Sequence, residues 1–138
     1  GLLSGALTAV PGCSDVLEMS LVSYSNEVKQ RELGVDGDCL AAVGAVSPEV
    51  AQQMAEGICR KAIAALGLGV TGIAGPGGAT PGKPVGLVYI GCCYQGNTQV
   101  KRYVFDGSRQ QVRSQAVTQA LVLACQALND TEGGLSLE

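Results

Sequence analysis

The chain has 138 residues and a net charge of −3, with 46% apolar and 15% charged residues. These values predict one compact globular domain over residues 1–138 rather than a disordered chain. The negative charge and the lack of Lys or Arg clusters argue against nucleic-acid binding through a basic face. Since no apolar run reaches the length of a membrane span, no membrane partner is expected.

Apolar periodicity, capping residues and turn residues predict helices and strands that follow one another along the chain. Helices are expected over residues 2–9, 14–18, 27–33, 36–43, 48–66 and 108–129, and strands over residues 21–24, 68–73, 85–94 and 98–105. A turn at residues 95–97 joins the last two strands as a hairpin. The polar tail, residues 130–138, is expected to fray. This order favours a mixed sheet between two layers of helices.

The first residues resemble the inside of a helix rather than a natural start. They carry no Met and no charged leader, and they enter an apolar run at once. We therefore expect the domain to be N-terminally incomplete.

The clearest helix pattern begins at Ser47, a capping serine that precedes a proline at the first helical position. Apolar residues then recur every four positions at Val50, Met54, Ile58, Ala62 and Leu66. The pattern predicts an amphipathic helix of about five turns that packs on a sheet and ends at Gly67.

The six cysteines do not form a metal-binding pattern. None stands in a C-x-x-C pair, and the chain has no histidine, so the usual zinc spacings are missing. Cys92 and Cys93, neighbours in a predicted strand, should point to opposite faces of the sheet. Free buried thiols in a reducing cytoplasm are favoured over a disulfide framework.

A glycine-rich segment, residues 74–84 (the glycine loop), separates two apolar strands. The Walker pattern fails because Pro84, not Ser or Thr, follows Lys83. The dinucleotide pattern fails because Thr80 stands where its third glycine should be. Two readings remain. In the first, free N–H groups of the loop would hold an oxyanion or a carbonyl beside the Thr71 hydroxyl. In the second, the loop only connects two strands.

Two further segments carry groups that suit chemistry. Tyr24 ends a predicted strand and Lys29 lies in the next helix; without histidine, a lysine of lowered pKa is the known substitute base. The alternative is an exposed lysine beside a tyrosine that covers the core. Arg109, in the first turn of the last helix, would suit a bound phosphate. Its alternative is a surface pair with Asp106.

Five segments, in this order and spacing, resemble the family of CinA C-terminal domains, also known as nicotinamide mononucleotide deamidases. They are Tyr24–Lys29, Gly44–Ser47, Val70–Gly78, Lys83–Gly86 and Gly107–Arg109. The resemblance covers residues 1 to about 128. It implies an α/β fold, a three-layer α/β/α sandwich around a mixed sheet of about five strands.

The resemblance also implies an activity. The family hydrolyses the carboxamide of nicotinamide mononucleotide to give nicotinate mononucleotide and ammonia, in the cytoplasm, as a homo-oligomer without a metal or other cofactor. By the resemblance, Lys29 is the base, Tyr24 its hydrogen-bonding partner and proton shuttle, and Thr71 the group that orients the carboxamide. Substrate binding falls to Asn26, Gly72, Gly75, Gly77 and Arg109, with Arg109 on the phosphate.

The family's nucleophile, a serine, lies in a segment that precedes the first helix and is not in this sequence. Neither Ser4 nor Ser25 stands in its place. The alternative function is therefore a nucleotide-binding or regulatory module without catalysis. A phosphate-loop enzyme is a third hypothesis, which the failed Walker and dinucleotide patterns disfavour.

Overall fold

The structure, a computed structural model, describes residues 1–132. The helices are α1 (Leu2–Thr8), α2 (Asn26–Leu33), α3 (Gly37–Val43), α4 (Pro48–Ala62) and α5 (Arg109–Glu132), with one turn of 3-10 helix at Cys13–Asp15. The strands are β1 (Leu66–Gly72), β2 (Leu87–Tyr94) and β3 (Asn97–Val104). No helix within residues 1–132 is long and apolar enough to span a membrane.

The three strands form one antiparallel sheet in the order β1-β2-β3. Val70 pairs with Ile90, and Ile90 pairs in turn with Lys101. The predicted hairpin between the last two strands is confirmed. The predicted mixed sheet of about five strands does not appear within residues 1–132. The strand expected at residues 21–24 is irregular there, because that segment has no strand ladder to join.

Helices cover both faces of this sheet, so the described part of the chain has three layers. Val88 and Ile90 of β2 pack with Val112 and Ala120 of α5 on one face. On the other face, α4 lies against glycines of β1. A Cβ on Gly69 would stand 2.7 Å from the Ala51 oxygen. The absence of side chains on that face lets α4 approach the strand closely.

Helix α4 ends four residues earlier than its apolar pattern predicts. Its cap, Ile63, has φ 53°, and the next turn is replaced by the start of β1. Leu66 therefore pairs with Tyr94 in the sheet instead of extending the helix. Helix periodicity continued past the true end because Leu66 also suits a strand that packs against α5.

Ser108 and Gln111 form a capping box at the start of α5. The Ser108 hydroxyl accepts a hydrogen bond from the Gln111 N–H at 3.3 Å, and the Gln111 side chain accepts one from the Ser108 N–H at 2.8 Å. The helix continues to Glu132, so residues 130–132 are helical rather than frayed. The rest of the predicted frayed tail lies outside the described residues.

All six cysteines are free, as predicted, but their burial differs. Cys92 and Cys93 are buried and Cys125 is exposed. Cys92 lies against α5, and the Cys59 thiol of α4 meets the Cys93 carbonyl at 3.7 Å. Burial, with Cys93 nearby, raises the pKa of Cys59 to about 12. Its thiol therefore stays protonated at neutral pH.

Candidate active site

Lys29 is a buried amine, with only 6% of its surface exposed. It belongs to α2, which begins where the Ser25 hydroxyl accepts a hydrogen bond from the Val28 N–H at 3.2 Å. The Lys29 Nζ donates to the Tyr24 carbonyl at 3.2 Å. Burial lowers the pKa of Lys29, since removing water disfavours the charged form. An amine in this environment is suited to accept a proton.

Arg109 connects three separate parts of the chain. It is the first residue of α5, and its guanidinium donates to the Gly75 carbonyl at 3.0 Å and to the Tyr24 hydroxyl at 3.4 Å. Within residues 1–132 it forms no ion pair with Asp106, so that alternative is not realised. The guanidinium is exposed and keeps donors that these two contacts leave unused.

Tyr24 lies between Lys29 and Arg109, but its two contacts use different groups. Its carbonyl accepts the Lys29 bond, while its hydroxyl accepts the bond from Arg109. The ring is 82% exposed. The hydroxyl therefore does not contact the Lys29 amine in this structure, and the predicted proton-shuttle role of Tyr24 stays a prediction.

Thr71 does not join this group. It is 7% exposed, and its hydroxyl donates to the Ala45 carbonyl at 2.7 Å. The proton that was expected to meet a substrate carboxamide is thus used to hold the segment between α3 and α4. In this structure Thr71 acts as a structural anchor, and its predicted contact with a substrate stays a prediction.

The three predicted glycines differ in their surroundings. Gly75 has φ 78°, which a side chain rarely adopts, and its carbonyl accepts the Arg109 bond. Gly72 lies in β1, where a Cβ would meet the Leu87 oxygen at 2.8 Å. Gly77 has no atom within 4 Å of a Cβ position, so it borders open space. Gly77 therefore suits a binding surface, whereas Gly75 is buried and contributes its carbonyl to the contact with Arg109.

Asn26, the last predicted site residue, is the first residue of α2. It is exposed, and its side chain forms no hydrogen bond within the described part of the chain. The structure therefore brings together Lys29, Tyr24, Gly75 and Arg109 through direct hydrogen bonds. It leaves Asn26 and Thr71 outside that network.

Lys83 is a polar residue to which the sequence assigned no role. Its ammonium donates to the Val43 carbonyl, so it links the glycine loop to the end of α3. The segments around Lys83 and Gly44 both belong to the family pattern, so the sequence marked both segments without assigning Lys83 a role. Neither segment contains a pattern that would reveal that they touch.

A large apolar cavity lies beside this network rather than within it. Its volume is about 890 Å³, and it runs along β1 between α1, α5 and the irregular segment 16–24. Tyr24 lines it, whereas Lys29, Thr71 and Arg109 do not. Its walls are mostly aliphatic, so it offers few groups that would recognise a charged nucleotide.

Comparison with known proteins identifies related sequences over almost the whole chain. A family model for the CinA C-terminal domain matches residues 1–128. A relative from Alkaliphilus oremlandii is 50% identical over 123 residues, 89% of this chain and 30% of the relative. One from Moorella thermoacetica is 47% identical over 128 residues, 93% of this chain and 31% of the relative. Both are named for competence-damage induction, and the chain spans about three tenths of their length.

Solved structures agree with this match. The competence damage-inducible protein A of Klebsiella pneumoniae superposes with a TM-score of 0.90 at 34% identity, over 94% of this chain and 80% of that chain. A competence/damage inducible protein of Agrobacterium tumefaciens gives 0.89 at 39% identity, over 92% and 78%. The described fold is therefore the fold of these proteins.

Proposed function

The chain belongs to the family of CinA C-terminal domains, and we propose that it hydrolyses the carboxamide of nicotinamide mononucleotide to nicotinate mononucleotide and ammonia. The observation that carries this proposal is Lys29. It is a buried amine of lowered pKa whose hydrogen-bond partner is a carbonyl rather than a carboxylate. A carboxylate would hold the proton on the amine, whereas this setting favours release.

In the proposed reaction a serine of the kind that the family uses, which is not among residues 1–138, attacks the carboxamide carbon. Lys29 takes the proton of the serine hydroxyl as the C–O bond forms. The resulting oxyanion is stabilised by N–H groups of the glycine loop. Lys29 then returns the proton to the amide nitrogen, the C–N bond breaks and ammonia leaves. Water hydrolyses the ester to release nicotinate mononucleotide and the serine.

We assign the phosphate of the substrate to Arg109. Its exposed guanidinium stands at the first turn of α5, where free N–H groups and the helix dipole also favour an anion. Its bonds to Tyr24 and Gly75 orient the guanidinium beside the glycine loop. A mononucleotide held there by its phosphate would present its base toward that loop.

The test uses the full-length gene product. Ammonia release from nicotinamide mononucleotide is compared for the wild type, Lys29→Ala and Lys101→Ala, an exposed lysine on β3. We expect Lys29→Ala to lower the rate by about 10²–10⁴-fold and Lys101→Ala to leave it unchanged. Equal rates in the wild type and Lys29→Ala contradict the proposal. Thermal stabilisation by the nucleotide without ammonia release would favour the non-catalytic binding module.

Two further expectations, on cellular location and on the sheet, go with this proposal. A cytoplasmic location fits six free cysteines. The mixed sheet of about five strands that the family resemblance implies stays a prediction.

A further inference from the structure

Three consecutive carbonyls, at the last residue of α3 and the two residues after it, each accept a hydrogen bond from a side chain. We refer to their residues, 43–45, as the carbonyl tripeptide. The Lys83 ammonium donates to the first carbonyl, the Ser47 hydroxyl to the second at 2.9 Å and the Thr71 hydroxyl to the third at 2.7 Å. All three carbonyl oxygens are therefore fixed by groups from different parts of the fold.

Two of these donors flank the glycine loop, residues 74–84. Thr71 precedes the loop at the end of β1, and Lys83 lies near the loop's own end. The loop is thus tied at both ends to one short segment. The Thr80 and Lys83 backbones also bond to each other, at 2.9 and 3.0 Å, so the Lys83 side chain anchors a closed turn rather than a single residue.

Between these anchors, Ala74 packs on the core and Gly75 is buried, whereas residues 76–79 are exposed. Within the described part of the chain, the backbone of residues 74–79 forms one hydrogen bond, from Arg109 to the Gly75 carbonyl. The position of residues 76–79 therefore depends on Gly75 on one side and on the Lys83 anchor on the other. Thr71 is buried and rigidly placed in β1, which makes Lys83 the anchor at the loop's end.

The Lys83 ammonium lies beside Gly44, where glycine leaves space for it. Gly44 has φ 79°, and a Cβ at that position would stand 3.0 Å from the Lys83 Nζ. An ammonium that donates to a carbonyl forms a charge-assisted bond, stronger than the two hydroxyl bonds beside it. Glycine at 44 and lysine at 83 therefore form a matched pair.

From these contacts we infer that Lys83 is a positioning residue: it fixes the glycine loop, and through Gly75 the Arg109 guanidinium, in the geometry that the amide hydrolysis needs. This inference rests on the proposed function for its effect on turnover. Its effect on the loop itself is independent of that function. Lys83 would act without touching the substrate, by its bond to the carbonyl tripeptide.

The experiment compares Lys83→Met, Lys83→Arg and Lys101→Met. Lys83→Met removes the hydrogen-bond donor and keeps a side chain of similar length, whereas Lys83→Arg restores a donor. Lys101→Met is the matched control, because Lys101 is an exposed lysine on β3. In this 138-residue chain, ¹⁵N relaxation of the Gly77 and Gly78 amides reports loop order. In the intact polypeptide, kcat and KM for nicotinamide mononucleotide report positioning.

We expect Lys83→Met to lower the amide order parameters of Gly77 and Gly78 from the rigid range to below about 0.6. The kcat should fall by about 10–10²-fold with a smaller change in KM, and Lys83→Arg should recover most of both losses. Unchanged order parameters in Lys83→Met overturn the inference, whether or not the protein hydrolyses the nucleotide. If the loop becomes mobile in Lys83→Met while the wild-type protein releases no ammonia, the anchoring role stands and only the proposed function is overturned.

Discussion

At the scale of single residues, Lys29 is a candidate site residue whose chemistry is altered by burial. A lysine in water stays charged at neutral pH, but burial lowers the pKa of Lys29. Removing the amine from water costs free energy in the folded state, because water solvates the amine in the unfolded chain. A residue retained at such a cost is typical of a functional site.

This gives a prediction about stability and pH. The folded pKa of Lys29 lies below its ordinary value of 10.5, so between the two values the unfolded state binds more protons. The unfolding free energy of the wild type should therefore rise with pH across that window, relative to Lys29→Met. Urea titrations of both proteins at several pH values measure the difference. If the free-energy difference between the wild type and Lys29→Met is constant with pH, the lowered pKa is contradicted. The difference between the wild type and Lys101→Met should not change with pH.

At the scale of elements, the contact between α4 and β1 depends on glycines in the strand. Gly67 and Gly69 leave no space for a Cβ, since each would stand less than 3 Å from atoms of α4. Close packing of helix on strand thus replaces the side-chain layer that usually separates them.

We predict that Gly69→Ala destabilises the fold by about 1–3 kcal/mol, because the new methyl overlaps the Ala51 oxygen and the Ala55 nitrogen. The matched control is Gly5→Ala. Gly5 lies on the exposed side of α1 with no atom within 4 Å of a Cβ. Alanine there should stabilise by about 0.5–1 kcal/mol through helix propensity. Chemical denaturation measures both, and a Gly69→Ala protein as stable as the wild type would show that α4 can withdraw from the sheet.

Helix and strand assignments from sequence succeeded where local signals were strong. The serine caps of α4 and α5, Ser47 and Ser108, mark the true helix starts. The end of α4 was missed because Leu66 continues the helical period, and the pairing that overrides it involves Tyr94, far along the chain. The strand at residues 21–24 was predicted from local alternation, but a strand exists only with a ladder partner.

The same limit applies to the site. The sequence identified Lys29, Arg109 and the glycine loop as candidates, and the structure joins Lys29 and Arg109 through Tyr24. The hydroxyl of Thr71 was assigned to a substrate because nothing in the sequence places Ala45 within 2.7 Å of it. Contacts between distant segments decide which polar groups are free, and a single sequence does not contain them.

At the scale of the whole molecule, exposed apolar side chains gather around the cavity along β1. Val16, Val22 and Ile63 are 82%, 61% and 92% exposed, and all three line it. Apolar surface concentrated in one place is typical of an interface between proteins. We propose that a second copy of the chain covers this surface, in keeping with the expected homo-oligomer.

The variant Val16→Asp/Ile63→Asn tests this proposal by light scattering. Asp places a charge on the apolar surface, and Asn suits the φ of 53° at position 63 better than isoleucine. We expect the wild type to have at least twice the monomer mass at micromolar concentration and the variant to approach the monomer mass. Val10→Asp, an exposed valine outside the cavity, is the control. A monomeric wild type, or an equal loss of mass in the control, contradicts the proposal.

We propose that the network around Lys29 and Arg109 serves the hydrolysis of the amide of a pyridine mononucleotide. The most direct measurement is the reaction of the intact polypeptide with nicotinamide mononucleotide in H₂¹⁸O, followed by mass spectrometry of the product. We expect nicotinate mononucleotide with one ¹⁸O in its carboxylate, one ammonia for each product molecule, and almost none of either from Lys29→Ala. Intact nicotinamide mononucleotide in the wild-type reaction, or the same labelled yield from Lys29→Ala, would contradict it.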